Sequence, residues 1–151
     1  MHMIKRQSAT GIRLLLLTAF LQWAAPVFSN EDRVVVVTHP DNQNEITQKD
    51  LYRLYFGKLA TLPNGQRLVP IVNNGDEDQL KLFASQVLQR STQQLRSYWA
   101  RQLFTGKGKP PVRVDDSTAL KELIANNPEF VGYLWESEVD ASVRVLLTAS
   151  Q

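Results

Sequence analysis

Few side chains in this sequence are suited to covalent chemistry. There is no cysteine, which excludes disulfides, thiolate metal sites, cysteine nucleophiles and a lipid anchor on a thiol. Of the two histidines, His2 falls before the N-terminal apolar run and leaves His39. With Asp41 two residues on, His39 could begin a metal site or an acid/base pair, but a single imidazole with no second histidine or cysteine rarely makes a transition-metal site, and His39 is read as a loop residue. No serine lies in a nucleophile-elbow sequence, and each would have to share that one imidazole, so no catalytic triad is expected. Paired acids, as in Asp115-Asp116 and Glu136 with Glu138, occur at the density usual for a surface. Gly106-Lys107-Gly108-Lys109 lacks the Walker spacing and its Lys-Ser/Thr ending, and it runs into Pro110-Pro111 rather than a helix. The sequence thus predicts no enzyme, no metal and no cofactor. Non-covalent binding remains, and its candidates are the polar residues where strands end and helices begin.

The elements that would position them follow in order. Val34-Val35-Val36-Val37, ended by Thr38-His39-Pro40, is a β-branched run that reads as a strand buried on both faces. Thr47 is a predicted N-cap with Asp50 as its capping-box acid, Ile46 and Leu51 form a hydrophobic staple, and Leu51, Leu54 and Tyr55 share the buried stripe. Asn64-Gly65 marks a turn. Arg67 to Val72 is a second strand, with Pro70 pointing to an edge or a bulge because it lacks a ladder donor. Asp76 should cap the next helix with Gln79 completing the box, and Leu80, Phe83, Val87 and Leu88 fall on one face. Ser91 or Thr92 starts a third helix, in which Leu95, Tyr98 or Trp99, Gln102 and Leu103 carry the period, and core packing is expected for its aromatics, Phe104 included. Gly106 to Pro111 reads as an exposed connection. A fourth helix starts at Ser117 with Leu120, Leu123 and Ile124 buried, and Phe130–Leu134 and Val143–Leu147 close the chain as strands. Strands alternating with helices argue an α/β layer fold in one domain, without repeats.

The chain of 151 residues has room for that domain and a leader. Lys5, Arg6 and Arg13 precede the apolar run Leu14 to Ala25, and Val27-Phe28-Ser29 offers a cleavage site, so residues 1–29 are expected to be a signal peptide and residues 30–151 a periplasmic domain. About a dozen apolar residues are too few to span a bilayer, and no membrane span is expected after cleavage. The leader carries three of the 17 basic residues and none of the 15 acids, leaving a net charge of −1 on the rest. The basic character of the whole chain is a leader effect, and by this count no Lys/Arg stripe suggests nucleic acid as a partner.

The order from Ile46 to Phe83 resembles one lobe of the periplasmic phosphate-binding proteins of ABC transporters. Leu54-Tyr55-Phe56-Gly57-Lys58 stands for their helix exit, Val69-Pro70-Ile71-Val72 for the strand that follows, and Gly132-Tyr133 for the strand that returns toward the hinge. The resemblance implies a single lobe of a type II periplasmic-binding-protein-like fold, a small mixed sheet flanked by helices. In that family the second strand ends in an arginine, and a Ser-Gly-Thr sequence opens the helix around the anion. Here the arginine position falls near Asn73 and the Ser-Gly-Thr position near Glu77-Asp78-Gln79. Two like charges about 4 Å apart repel by about 4 kcal/mol at an effective dielectric of about 20. An exposed helix terminus gives an anion only about 0.3–1 kcal/mol. Phosphate held in the family's manner is therefore disfavoured, and the acids are read as caps or as selectors of a cationic or neutral ligand or a protein partner.

The expected site is the strand-end and helix-start surface bearing Thr38, His39, Asn73, Asn74, Gly75 and Gln79, offered to a small solute. A half-shell buries a ligand poorly, so a transporter component or a second copy of the chain would complete it. The alternative is an envelope protein-interaction or regulatory module that kept the lobe and lost its ligand.

Overall fold

The computed structural model describes residues 33–149. The expected signal peptide over residues 1–29 lies outside them.

The valine run forms β1 (Val34–Thr38), every residue of it buried. Val34 and Val36 enter one hydrophobic cluster and Val35 and Val37 the other, so the strand is covered on both faces. Helix α1 (Gln48–Tyr55) starts at the reciprocal Thr47/Asp50 capping box and buries Leu51, Leu54 and Tyr55. Strand β2 (Val69–Asn73) leads through the N-cap Asp76 into α2 (Glu77–Leu82), whose coil widens into a π-helical turn at Phe83–Val87. Ser91 and Gln94 form the capping box of α3 (Thr92–Phe104). A short strand β3 (Val112–Val114) precedes α4 (Ser117–Asn126), capped by Asp116. Strand β4 (Phe130–Trp135), a single 3₁₀ turn at Glu136–Glu138 and β5 (Arg144–Thr148) complete the domain.

The five strands form one mixed sheet in the order β3-β2-β4-β1-β5. β2 is parallel to both β3 and β4, whereas β1 runs antiparallel to β4 and β5. Helices α1, α2 and α3 cover one face, packing Leu51, Tyr55, Phe83, Leu95 and Trp99 on Val36, Val72 and Tyr133. Helix α4 covers the other with Leu120 and Ile124 against Val35, Val37 and Ile71. This is the α/β layer architecture that the alternation of elements predicts.

Several local expectations are corrected. β2 is an interior strand despite Pro70. The proline is tolerated because the Val69 amide points to β4, where it meets the Glu129 carbonyl, and Pro70 therefore faces the side on which β3 pairs only from Ile71 onward. Strand β3 itself, three residues after Pro110-Pro111, is too short to show an alternation. Gln79 gives its backbone N–H to Asp76 but does not complete a capping box, because its side-chain carboxamide is engaged by Asn73 and Glu138. In α3 Leu95 and Trp99 are buried and Tyr98 packs half-buried against them, but Leu103 is 53% and Phe104 93% exposed.

Candidate functional site

Because β2 and β4 run in the same direction, the end of β4 arrives beside the end of β2. That is where the polar residues gather. The Asn73 side chain is fully enclosed: its Nδ2 donates to Gln79 Oε1 at 3.2 Å and its Oδ1 accepts from the Gly75 amide at 2.9 Å. Gln79, also buried, donates from Nε2 to Glu138 Oε2 at 3.0 Å, and the same oxygen accepts from the Trp135 amide at 3.0 Å. The Asp76 carboxylate receives the Gln79 amide on one oxygen at 2.9 Å and the Trp135 indole on the other at 2.7 Å. The start of α2 is thus met by the chain's own carboxylate. Among the described residues no buried side-chain nitrogen or oxygen lacks a hydrogen-bond partner. With the Asp76 and Glu138 carboxylates standing at this corner, a phosphate approaching the start of α2 would meet like charge.

Beneath this network the ladder between β2 and β4 opens after Pro70, and two tyrosines fill the gap. Tyr55 Oη donates to the Ile71 carbonyl at 2.9 Å and lies 3.3 Å from that of Val131. Tyr133 Oη accepts the Asn73 amide at 3.1 Å and lies 3.4 Å from the Asn73 carbonyl. Burial holds both phenols well above the usual tyrosine range, and for Tyr55 the neighbouring Tyr133 adds to the effect. Phe83 stacks on Tyr133 at 4.0 Å and tilts against Tyr55 at 4.7 Å, tying the gap to the π-helical turn.

The six residues expected to share a site do not come together. Asn73, Asn74, Gly75 and Gln79 do, at the end of β2, with Asn74 and Gly75 exposed and the other two sealed. Thr38 and His39 lie toward the opposite end of the sheet, because β1 is antiparallel to β4 and pairs Thr38 with Val131 while Val34 pairs with Trp135. Thr38 is buried, donating to the Phe130 carbonyl at 2.9 Å and accepting from Asn42 Nδ2 at 3.1 Å. His39 is a loop residue whose Nδ1 accepts the Asp41 amide at 3.1 Å. Among the described residues no group of His, Cys, Asp and Glu is placed to hold a metal ion.

The open concavity at this end lies one strand further out. Between β2, β3, α2 and α3 is a cleft of about 400 Å³ with Val72, Leu80, Leu95, Trp99, Pro110 and Pro111 as its apolar walls and Asn74, Arg96 and Arg113 as its polar ones. Arg113 pairs in register with Val72, so both side chains stand on the same face of the sheet. Arg96 is held by Glu77 at 2.6 Å, while Arg113 has no carboxylate among the described residues. Sequence reasoning missed Trp135, Glu138, Arg96 and Arg113. The parallel pairing of β2 with β4 and with β3 would have located them, and that pairing is not written in any local pattern.

Solved structures similar in fold include an ABC-type phosphate transport receptor from Vibrio cholerae, with 16% identity and a TM-score of 0.55. They also include a protein from Clostridium perfringens described as a phosphate ABC transporter substrate-binding protein with bound phosphate, at 19% and 0.56, and PstS from Borrelia burgdorferi, at 12% and 0.57. The chain shares its fold with part of each of these proteins. Each similarity covers 76% of this chain but only 44–46% of the other, so the chain spans less than half of their length. Identities this low carry the fold and not the ligand. No protein-family model and no curated protein matches the sequence.

Proposed function

We propose that the chain is an exported solute-binding protein that holds its ligand non-covalently, without catalysis, in the cleft between β3 and α3 rather than at the start of α2. The observation that carries this reading is the contrast between the two places. At the helix start the Asp76 and Glu138 carboxylates take the Gln79 and Trp135 donors and set negative charge where an anion would approach. In the cleft Arg113 and the exposed Asn74 have free donors above an apolar floor centred on Trp99. Such a combination suits a neutral or singly anionic solute with an apolar body, its polar end toward Arg113. About 400 Å³ admits a molecule of amino-acid size or somewhat larger. Removal of residues 1–29 as a signal peptide would place the domain in the periplasm, where a transporter component or a second copy could cover the open side of the cleft.

The test is a thermal-shift panel of phosphate, sulfate, molybdate, amino acids, short monocarboxylates and polyamines. A ligand at a hundred times its Kd adds about 2.7 kcal/mol of stability. A shift from one class that disappears in Arg113→Gln supports the reading. No shift from any of these at millimolar concentration overturns it, and a phosphate shift that Arg113→Gln leaves unchanged returns the ligand to the helix start.

A further inference from the structure

A second basic surface lies along α1 and α3, and its charge is segregated in a way that total charge conceals. From Gln79 to Val114 the sequence contains seven Lys and Arg residues and no Asp or Glu. Part of this segment, with the exit of α1, lines a groove of about 430 Å³ that includes Tyr52, Lys58, Arg90, Tyr98 and Arg101 and no acid. Lys58 Nζ lies 5.5 Å and the Arg90 guanidinium 5.2 Å from the centroid of the Tyr52 ring. Two cations therefore converge on one aromatic ring. Neither they nor Arg101 form an ion pair among the described residues.

Like charges gathered without a counter-ion repel, and the ring's attraction for a cation, about 0.5–1 kcal/mol at an exposed site, offsets that only partly. An anion entering the groove would be attracted by all three. The same face continues past the groove, because Ser97, Arg101 and Phe104 are spaced i, i+4, i+7 on α3 and Phe104 is 93% exposed. A flat surface cannot follow a groove with walls on two helices, whereas an extended chain can.

We infer that this groove is a docking surface for an acidic, extended polypeptide segment of another protein, with an apolar side chain of that segment meeting Phe104. The inference stands apart from the solute cleft and would survive its failure. Charge complementarity of this kind sets encounter rate and salt dependence more than final affinity.

Fluorescence anisotropy with protein purified from cells expressing the 151-residue chain tests it. The probes are a labelled Glu/Asp-rich peptide of about a dozen residues with a central Phe, and its Gln/Asn counterpart. The acidic peptide should bind at least tenfold more tightly at low salt, and weaken as salt is raised. Arg90→Gln with Arg101→Gln should weaken it about tenfold, whereas Arg67→Gln, which removes an exposed cation outside the groove, should change it less than twofold. Equal binding of both peptides, or equal losses from Arg67→Gln and the groove variants, overturns the inference. So does binding to anionic phosphatidylglycerol vesicles or to a single-stranded oligonucleotide without binding to the peptide. The substituted arginines are exposed, and melting temperatures near wild type will confirm that losses are not misfolding.

Discussion

The indole of Trp135 donates to the carboxylate of Asp76 at 2.7 Å across the ends of β4 and β2. Asp76 thereby serves two masters, since its other oxygen caps α2 through the Gln79 amide. A hydrogen bond to a charged group contributes about 1.5–3 kcal/mol, and an N-cap about 1 kcal/mol. Trp135→Phe should cost about 1–2 kcal/mol, the lower figures reflecting partial exposure of the indole. Asp76→Ala should cost more, since it removes the cap and strands the indole N–H. Urea unfolding of both single variants and the double variant should give a coupling energy of at least about 0.5 kcal/mol. Additive losses would mean that the contact contributes nothing.

The tyrosine pair makes stability fall in alkali. Tyr55 and Tyr133 are held neutral by burial, with folded pKa values raised above the ordinary tyrosine value of about 10. A raised folded pKa gives stability that is complete below about pH 10 and is lost as pH rises past it, because the unfolded chain ionises first. The melting temperature should therefore hold from neutral pH to about 9.5 and then drop. Tyr133→Phe should soften that drop and at neutral pH cost about 1–3 kcal/mol, since the buried Asn73 amide loses its acceptor. An unchanged alkaline slope in both Tyr55→Phe and Tyr133→Phe would assign the loss to other groups.

What could be read from the sequence was what depends on neighbours in the chain. The valine run, the Thr47/Asp50 box, a helix start at Ser91, one of the two residues offered for it, and the Gly65 turn appear where local patterns place them, whereas the part of Gln94 in the Ser91 cap was not foreseen. Strand direction is not local information. Thr38 and Asn73 are both strand-terminal, yet β1 and β2 run oppositely in the sheet, so one expected site becomes two unrelated corners. Phe104 kept the helical period of α3 but lies beyond the point where the helix has a partner. Its segment's charge was also obscured, because a net value of −1 averages an acid-free stretch with acid-rich ends.

Gly75 marks the tightest approach beside the site. A Cβ there would stand 1.7 Å from the Asp115 carbonyl oxygen, a backbone atom that cannot swing aside. The Asn74 amide, one residue earlier, donates to the Val114 carbonyl at 2.8 Å and fixes β2 to β3 at this point. Gly75→Ala should therefore lose about 3 kcal/mol or more and widen the solute cleft. Gly65→Ala is the comparison: its φ of +88° is strained for alanine, but nothing lies within 4 Å, and about 1 kcal/mol is expected. Denaturant midpoints of the two variants should separate widely. Equal losses would show that the β2–β3 junction relaxes without resistance.

The segment after β4 is anchored by charge, which gives an acid limb to stability. Lys121 on α4 donates to the Asp140 carboxylate at 2.8 Å and to the Glu138 carbonyl at 3.2 Å, and the Ser142 amide adds a bond to Asp140 at 2.9 Å. Lys121 first, and Ser142 after it, hold the Asp140 carboxyl far below the usual carboxylate range. A depressed folded pKa gives stability that is present above the unfolded value of about 4 and is lost as pH falls below it. Asp140→Asn should leave a shallower acid limb between about pH 4 and 2 and little change in its steepness elsewhere. Because Lys121 also fixes Glu138, which receives the Gln79 amide, amide exchange of the Gln79 side chain should quicken in Lys121→Met at neutral pH. Unaltered exchange together with an unaltered acid limb would show that this corner is held by the sheet alone.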